Sequence, residues 1–373
     1  MLDTTKASGD PARHLFQQNR ALNSPVVQVF LRPFSKPTIL IDDVREVKDI
    51  LGRRTREFDR APSTRNAFRP IIPHASLVKV TGAEFKNQRR FWEGVMGTAF
   101  LRRVTAPRIH RVAQDLVDLL RTKATIADGR PFSMFDDFDL AAFDIIWTVV
   151  FGTDLEATRK QHTQTLKEAA LGSLTQPPSR DVLAWMPERL PMPDMFDVVS
   201  SLIRNVEKTF GSFSQPLYHW YLRQKPAYKR MLTVKNRIVN GLLNSTRSRL
   251  AQLSEKELQG LDESSALVMG IRRELLARLQ QSGGGRKPLQ GADEIGDELL
   301  MILIAVRPLF LNPIPYLDAI IEESLRLANI SSRLIRTVTS SHTTVLGYPI
   351  PKGAQVICNP YVGRAPVPGV GRR

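Results

Sequence analysis

The stretch PYLDAIIEESLRLANISSRLIR, Pro315 to Arg336, decides how the rest of the chain is read. Leu317, Ile320, Ile321, Ser324, Leu325 and Ala328 recur at three- and four-residue steps, the period of a helix with one buried stripe. Pro313 and Pro315 suit a helix entrance, because proline's missing N–H costs little in the first turn. Glu323 and Arg326 stand one turn apart and off the stripe. As an exposed pair they contribute only ~0.3–0.5 kcal/mol, and Glu322 competes for Arg326 at the i,i+4 spacing. The other reading is a buried pair that anchors a larger architecture.

The composition allows such an architecture. The chain has 373 residues, 42% of them hydrophobic and 24% charged, which supports a large core and excludes global disorder. Two domains or one large helical domain both fit this length. The single cysteine, Cys358, excludes an internal disulfide and a multi-cysteine zinc site. The net charge of +16 points to nucleic acid or an anionic membrane surface. The basic residues are scattered in pairs such as Arg53–Arg54, Arg89–Arg90, Arg102–Arg103 and Arg272–Arg273, with no zinc-finger, KH or RRM signature. No nucleic-acid partner is therefore expected; the charge reads as solvated faces and a docking face for an acidic protein. Met1 to Asn23 is polar and carries no leader pattern, and the longest apolar run, Leu299 to Val306, falls short of the ~18–20 residues of a spanning helix. A cytoplasmic or membrane-peripheral chain is expected.

Along the chain, residues 1–24 read as a flexible tail. Val26–Ile41 holds two short strand-like runs interrupted by Pro33 and Pro37, a hairpin pattern. In DDVREVKDILGRR, Asp42 or Asp43 can cap a helix whose stripe is Val44, Val47, Ile50 and Leu51, and Gly52 can end it. Helical periodicity then dominates Glu84–Met96, Ala106–Lys123, Leu140–Phe151, Thr158–Leu174, Asp194–Phe213, Leu232–Leu253, Ser265–Gln281 and Asp293–Ala305. The run TTVLGYPIPKGAQVICN, Thr343–Asn359, is β-like. SGGGRKPLQG, Ser282–Gly291, lacks the spacing of a phosphate loop and reads as a linker. The six histidines show no paired-ligand spacing, and no GxSxG elbow occurs. The fold class is mainly α, with a small sheet built from both ends of the chain.

Five elements in order carry a family resemblance. Glu323-Ser324-Leu325-Arg326 resembles the ExxR element of cytochromes P450. Downstream, Arg336 and LGYPIPKGAQV (Leu346–Val356) are similar to the family's small-sheet segment. GAEFKNQRRFW (Gly82–Trp92) resembles the helix in which an aromatic residue and, four positions on, an arginine face the heme propionates. EFDRAPS (Glu57–Ser63) matches, as does DELLMILIA (Asp297–Ala305), the latter as the start of the long distal helix. The resemblance covers residues 25–305 and 313–362 and has the flavour of filamentous-fungal P450s of secondary metabolism. It implies heme, a monooxygenase reaction on an apolar small molecule, and electrons from NADPH–cytochrome P450 reductase. It implies Phe85, Arg89 and Arg336 as cofactor-binding residues, since buried propionates need charge-assisted hydrogen bonds that arginine's fork supplies. Phe85 remains readable as a core aromatic and Arg89 as a surface residue. Under the resemblance Glu323–Arg326 is a buried structural pair. Full-length relatives are usually endoplasmic-reticulum membrane proteins.

Three departures qualify this. After Ala305 comes VRPLFLNPIPYL, where the family has a Gly-x-Asp-Thr-Thr-like segment bearing the distal threonine, and Pro308 ends the helix. The Phe-x-x-Gly-x-Arg-x-Cys-x-Gly loop, whose cysteine thiolate holds the heme iron, has no counterpart. Cys358 sits instead in the β-like run directly after the turn and reads as a small buried hydrophobe. The arginine that completes the Glu–Arg network falls in the missing loop too. The expectation is an incomplete cytochrome P450-like fold: a flexible tail at 1–24, a P450-like region at 25–306, an aberrant junction at 307–312, the ExxR helix and small-sheet segment at 313–362, and an unstructured tail at 363–373. The chain reads as a truncated or mispredicted copy, inactive as written, with no catalytic residue and no metal ligand assigned. The alternative is a heme-free P450-like remnant, a protein-binding scaffold or inert; a basic helical nucleic-acid binder is the remote one.

Overall fold

A computed structural model describes residues 11–31, 37–171, 183–184, 186–281, 292–305 and 334–359. The chain divides into two compact units, one formed by Met1–Ala67 with Leu311–Arg373 and one by Phe68–Phe310.

The first unit is built on a five-stranded sheet. Its elements are α1 (Pro11–Ala21), β1 (Val26–Val29), β2 (Thr38–Ile41), α2 (Val44–Gly52), β3 (Phe58–Arg60), α3 (Pro62–Phe68), β4 (Leu334–Val338), β5 (Thr343–Val345), β6 (Tyr348–Ile350) and β7 (Gln355–Cys358). The strand order is β1-β2-β7-β4-β3, with β5 and β6 as a separate hairpin. β1 and β2 pair antiparallel, Val26 opposite Ile41, as the hairpin pattern predicts. β2 and β7 run parallel, Thr38 opposite Gln355 and Ile41 opposite Cys358. These two inner strands are apolar on both faces and almost wholly buried, as strands covered on both sides are. Ile39, Ile41, Phe58, Val338, Val356 and Cys358 form the core with Val47 and Ile50 of α2. Asp43 caps α2, accepting from the Glu46 N–H at 2.8 Å. The β5–β6 turn places Leu346 at φ 48° and Gly347 at φ 83°, the left-handed pair that a two-residue hairpin requires.

Two findings differ from the sequence reading here. α1 lies inside the segment expected to be a flexible tail, and its Phe16 and Asn19 are buried. Leu15 and Phe16 stand side by side among polar residues and carry no periodic signal; the burial of Phe16 and the hydrogen bonds of Asn19 to the Ser24 and Leu40 carbonyls seat the short helix. β3, within EFDRAPS, also went unrecognised: three residues are too few to show alternation, and its pairing with β4 defines it.

The second unit is helical. It contains α4 (Ala83–Val95), α5 (Ala106–Ala127), α6 (Phe135–Phe151), α7 (Ala157–Ala170), α8 (Asp194–Gly211), α9 (Gln215–Gln224), α10 (Pro226–Leu250), α11 (Glu255–Gly260), α12 (Ala266–Gln281) and α13 (Ala292–Ala305). α6 is apolar nearly all round and packs against α5, α7, α12 and α13, as a fully enclosed helix must. Two buried charges in it are satisfied. Lys123 of α5 donates to both oxygens of Asp137, at 2.7 and 2.8 Å. Asp144 accepts from the N–H groups of Ala157 and Thr158 and from the Thr158 hydroxyl, closing the start of α7. Gly270 of α12 faces the ring of Phe91 so closely that a Cβ there would lie 2.8 Å from it, which fixes how near α4 approaches α12. α9 and α11 were not anticipated; α11 is marked by a capping box at Ser254 and Glu257.

Candidate functional site

α4 carries two of the residues assigned from sequence. Phe85 and Arg89 stand four positions apart, so they share one side of the helix. Phe85 is buried at 9% exposure, whereas Arg89 is exposed. The guanidinium of Arg89 lies over the Phe85 ring, 6.0 Å from its centroid, at the outer limit of a cation–π contact. Among the described residues no carboxylate pairs with Arg89. A guanidinium so placed can receive an anion.

The rest of α4 is anchored from α13. Glu298, with no exposed surface, accepts hydrogen bonds from the Ser76 N–H, from the Ser76 hydroxyl at 3.2 Å and from the Trp92 indole at 2.7 Å. Its neighbour Asp297 accepts from the His74 N–H at 2.8 Å, and Gln88 donates to the His74 carbonyl. Lys235 of α10 donates to the Ile71 carbonyl at 2.9 Å. Burial raises the carboxyls of Glu298 and Asp297 above their ordinary range, against the opposing pull of those N–H donors; burial lowers Lys235, against the attraction of Asp297. Two adjacent carboxylates of α13 thus hold both the 71–79 segment and the helix that bears Arg89. Sequence reasoning took Asp297 to Ala305 only as the beginning of a distal helix. The missed signal was two consecutive acids opening an apolar run, positions where an unpaired charge would be costly.

A cleft of about 740 Å³ opens beside the first turn of α4. Arg69, His74, Lys79, Glu84, Asn87 and Glu294 line it, and neither Phe85 nor Arg89 does. Lys79 bridges Glu294 at 3.5 Å and Glu84 at 4.0 Å. Its walls are charged and unsuited to an apolar substrate.

Arg336, the third assigned residue, belongs to the sheet unit. It is half-buried on β4 between Arg60 of β3 and Val356 of β7, and its Nη1 donates to the Ile335 carbonyl at 3.0 Å. Glu323, Arg326 and the junction at 307–312 lie outside the described residues.

Does this set fit a heme? Arg89 over Phe85 fits the propionate edge. Cys358 does not fit the iron. It is the last residue of β7, fully buried, with Ile41 beside it on one strand and Leu334 on the other. Burial pushes its thiol up to about 12, the nearby charge of Arg336 pulling weakly the other way. It packs as the small hydrophobe expected from its place in the sequence.

The comparisons agree with the fold. The family profile described as Cytochrome P450 matches residues 4–289 and 310–364. Cytochrome P450 monooxygenase TRI13 of Fusarium sporotrichioides is 26% identical over 403 positions, covering 96% of this chain and 68% of its own length. Cytochrome P450 monooxygenase GME11363 of Pestalotiopsis microspora is 26% identical over 383 positions, covering 90% of this chain and 65% of its own. The chain spans about two thirds of the length of these curated relatives. Among solved structures, the heme domain of cytochrome P450DA superposes with a TM-score of 0.66 at 14% identity, over 96% of this chain and 74% of that one. A zebra fish cytochrome P450 does so with a TM-score of 0.58 at 15% identity, over 94% and 78%. The chain belongs to the cytochrome P450 family.

Proposed function

We propose that this 373-residue polypeptide carries the propionate-side helix and the small sheet of a fungal-type P450 monooxygenase of secondary metabolism, and does not itself activate dioxygen. A thiolate-ligated heme, when bound, supplies an electron-rich iron that cleaves the O–O bond. What these residues contribute is anchoring. Arg89, oriented by Phe85, offers a fork of N–H donors to a propionate carboxylate. Arg336 is proposed as a propionate contact on family grounds. An apolar metabolite as substrate and NADPH–cytochrome P450 reductase as electron donor follow from the family alone.

The observation that carries this reading is the burial of Cys358. A ligand sulfur must reach the iron as a thiolate, and Cys358 is sealed in the core, where burial disfavours its ionised form. Drawing it out would also break a strand paired on both sides. The purified chain, loaded with hemin, reduced and exposed to CO, is expected to show no thiolate-heme band, and Cys358→Ser to leave its spectrum unchanged. A thiolate-type band that Cys358→Ser abolishes would overturn the reading.

The propionate contact has its own test. Removing one charge-assisted hydrogen bond costs about 1.5–3 kcal/mol, so Arg89→Ala is expected to weaken hemin binding by about tenfold to a hundredfold. Quenching of tryptophan fluorescence in a hemin titration measures it. Equal affinity in Arg89→Ala and the parent chain removes Arg89 from the site. No saturable hemin uptake by either favours the heme-free remnant.

A further inference from the structure

The helical unit carries two exposed apolar faces of opposite charge. The first surrounds the entry of α6. Met134, Phe135 and Phe138 are all exposed, Phe135 by 68%. Leu183, also exposed, stands beside them, because the N–H of its neighbour Ala184 donates to the Pro131 carbonyl at 2.8 Å. From Pro131 to Thr158 the sequence contains aspartate and glutamate but no lysine or arginine. Asp136 meets Arg189 at 2.9 Å yet keeps 61% of its side chain exposed. Among the described residues no cation pairs with Asp139. In a chain of net charge +16 this face is locally acidic.

The second face lies on the outer side of α9. Leu217, Trp220 and Tyr221, spaced i, i+3, i+4, are exposed there, Trp220 by 64%. From Lys208 to Ser254 the sequence contains no aspartate or glutamate. Arg223, Lys225, Lys229 and Arg230 are all exposed at the α9–α10 corner. The Lys225 ammonium lies 4.5 Å from the Tyr221 ring centroid, so base and aromatic form one surface.

Large apolar side chains grouped in water mark contact surfaces, and the charge around each group says what it meets. A two-fold contact through either face would set like charge against like. One copy cannot join its own two faces, because α8 stands between them. The guanidinium of Arg189 bonds to Asp136 and lies 5.9 Å from the ring of Phe196, so α8 begins at the acidic face. It ends at Gly211, just before α9, ~27 Å further along its axis. A second copy arriving head to tail brings acid to base and apolar to apolar. We propose that this chain associates with itself in that way, the acidic face at the start of α6 receiving the basic aromatic face of α9 from the next copy. Such a contact is heterologous, and it builds open chains unless its rotation closes a ring.

Sedimentation velocity of the full chain over a range of concentrations tests this. The parent is expected to grow past the dimer as concentration rises and to shrink back when salt is added. Phe135→Ser/Phe138→Ser spoils the acidic face and Trp220→Ser/Tyr221→Ser the basic one. Each variant alone is expected to associate at least tenfold more weakly, roughly, and to run as a monomer. Mixed in equal amounts they should form a dimer and stop there, because each keeps the face that the other has lost. All four side chains are exposed, so both variants should keep the parent's circular dichroism and melting temperature. A parent that stays monomeric overturns the proposal. So does association that salt strengthens, which is apolar aggregation. If either variant still assembles like the parent, or if the mixture stays monomeric while the parent assembles, the contact is not head to tail and the proposal falls. No heme is needed for any of these measurements, so their failure is separate from failure of the monooxygenase reading.

Discussion

Replacing Lys123 by methionine is expected to destabilise the helical unit by about 3–5 kcal/mol, because it leaves the carboxylate of Asp137 buried without its cation. The pair is nearly sealed, with side-chain exposures of 9% and 5%, and both carboxylate oxygens take a hydrogen bond from the same ammonium. Methionine keeps the length of the aliphatic stem, so packing is conserved and the electrostatic loss dominates. The cost should fall toward the lower end of the range. Asp137 lies in the first turn of α6, where the helix dipole offers an anion ~0.3–1 kcal/mol. Adding Asp137→Leu to Lys123→Met should recover most of the loss, since an apolar pair of similar volume replaces the orphaned charge. Urea denaturation of the parent, the two single variants and the double variant reads this directly. A single-variant loss under about 1 kcal/mol would mean that the pair is hydrated rather than buried.

Glu298→Ala is expected to cost about as much, roughly 3–5 kcal/mol, by a different route. It orphans the Ser76 N–H and the Trp92 indole N–H, each costing about 1–3 kcal/mol when buried without an acceptor, and opens a cavity between α13 and α4. Glu298→Gln keeps one acceptor and should lose less. The pH dependence separates the carboxylate from its shape. The carboxyl is raised in the folded state, so the native protein binds the proton more tightly than the unfolded chain does. Its favourable contribution is complete below the ordinary glutamate value and is lost as pH rises through the raised one. Glu298→Gln removes that term. Its stability relative to the parent should therefore improve on going from pH 4.5 toward neutrality. A difference independent of pH would show that Glu298 is ionised alike in both states. Because α4 carries Arg89, Glu298→Gln should also loosen any ligand that Arg89 binds.

Much of the fold could be read from residue order because periodicity and burial coincide. Where an apolar stripe faces a core, as in α2, α5, α8 and α10, the sequence shows it. α9 escaped the reading for the opposite reason. Its Leu217, Trp220 and Tyr221 lie on the outside, while its inner face includes Gln215 and His219, so polarity and burial are decoupled. α1 escaped because its anchors, the buried Phe16 and Asn19, make no apolar stripe. At the candidate site, Phe85 and Arg89 were accessible through their i,i+4 spacing within a longer family pattern. The support beneath them was not. Ser76, Trp92 and Glu298 are brought together across more than two hundred positions, and no local window contains all three. Cys358 was legible from its β-like neighbours, and its place between β2 and β4 explains why it is fully buried.

The sheet has a consequence for biosynthesis. Asn359 bonds to Asp42 across 317 positions, and β2 meets its parallel partner β7 over a similar separation. A ribosome must therefore deliver more than three hundred further residues before β2 gains its second neighbour. Until then Ile39, Leu40 and Ile41 present an unpaired apolar edge on the nascent chain, the kind of segment that misassembles with other chains. The helical unit, a compact body within Phe68–Phe310, is free to consolidate during translation. The sheet is completed only after the helical unit has been made, and its yield depends on how well that early edge is shielded in the meantime.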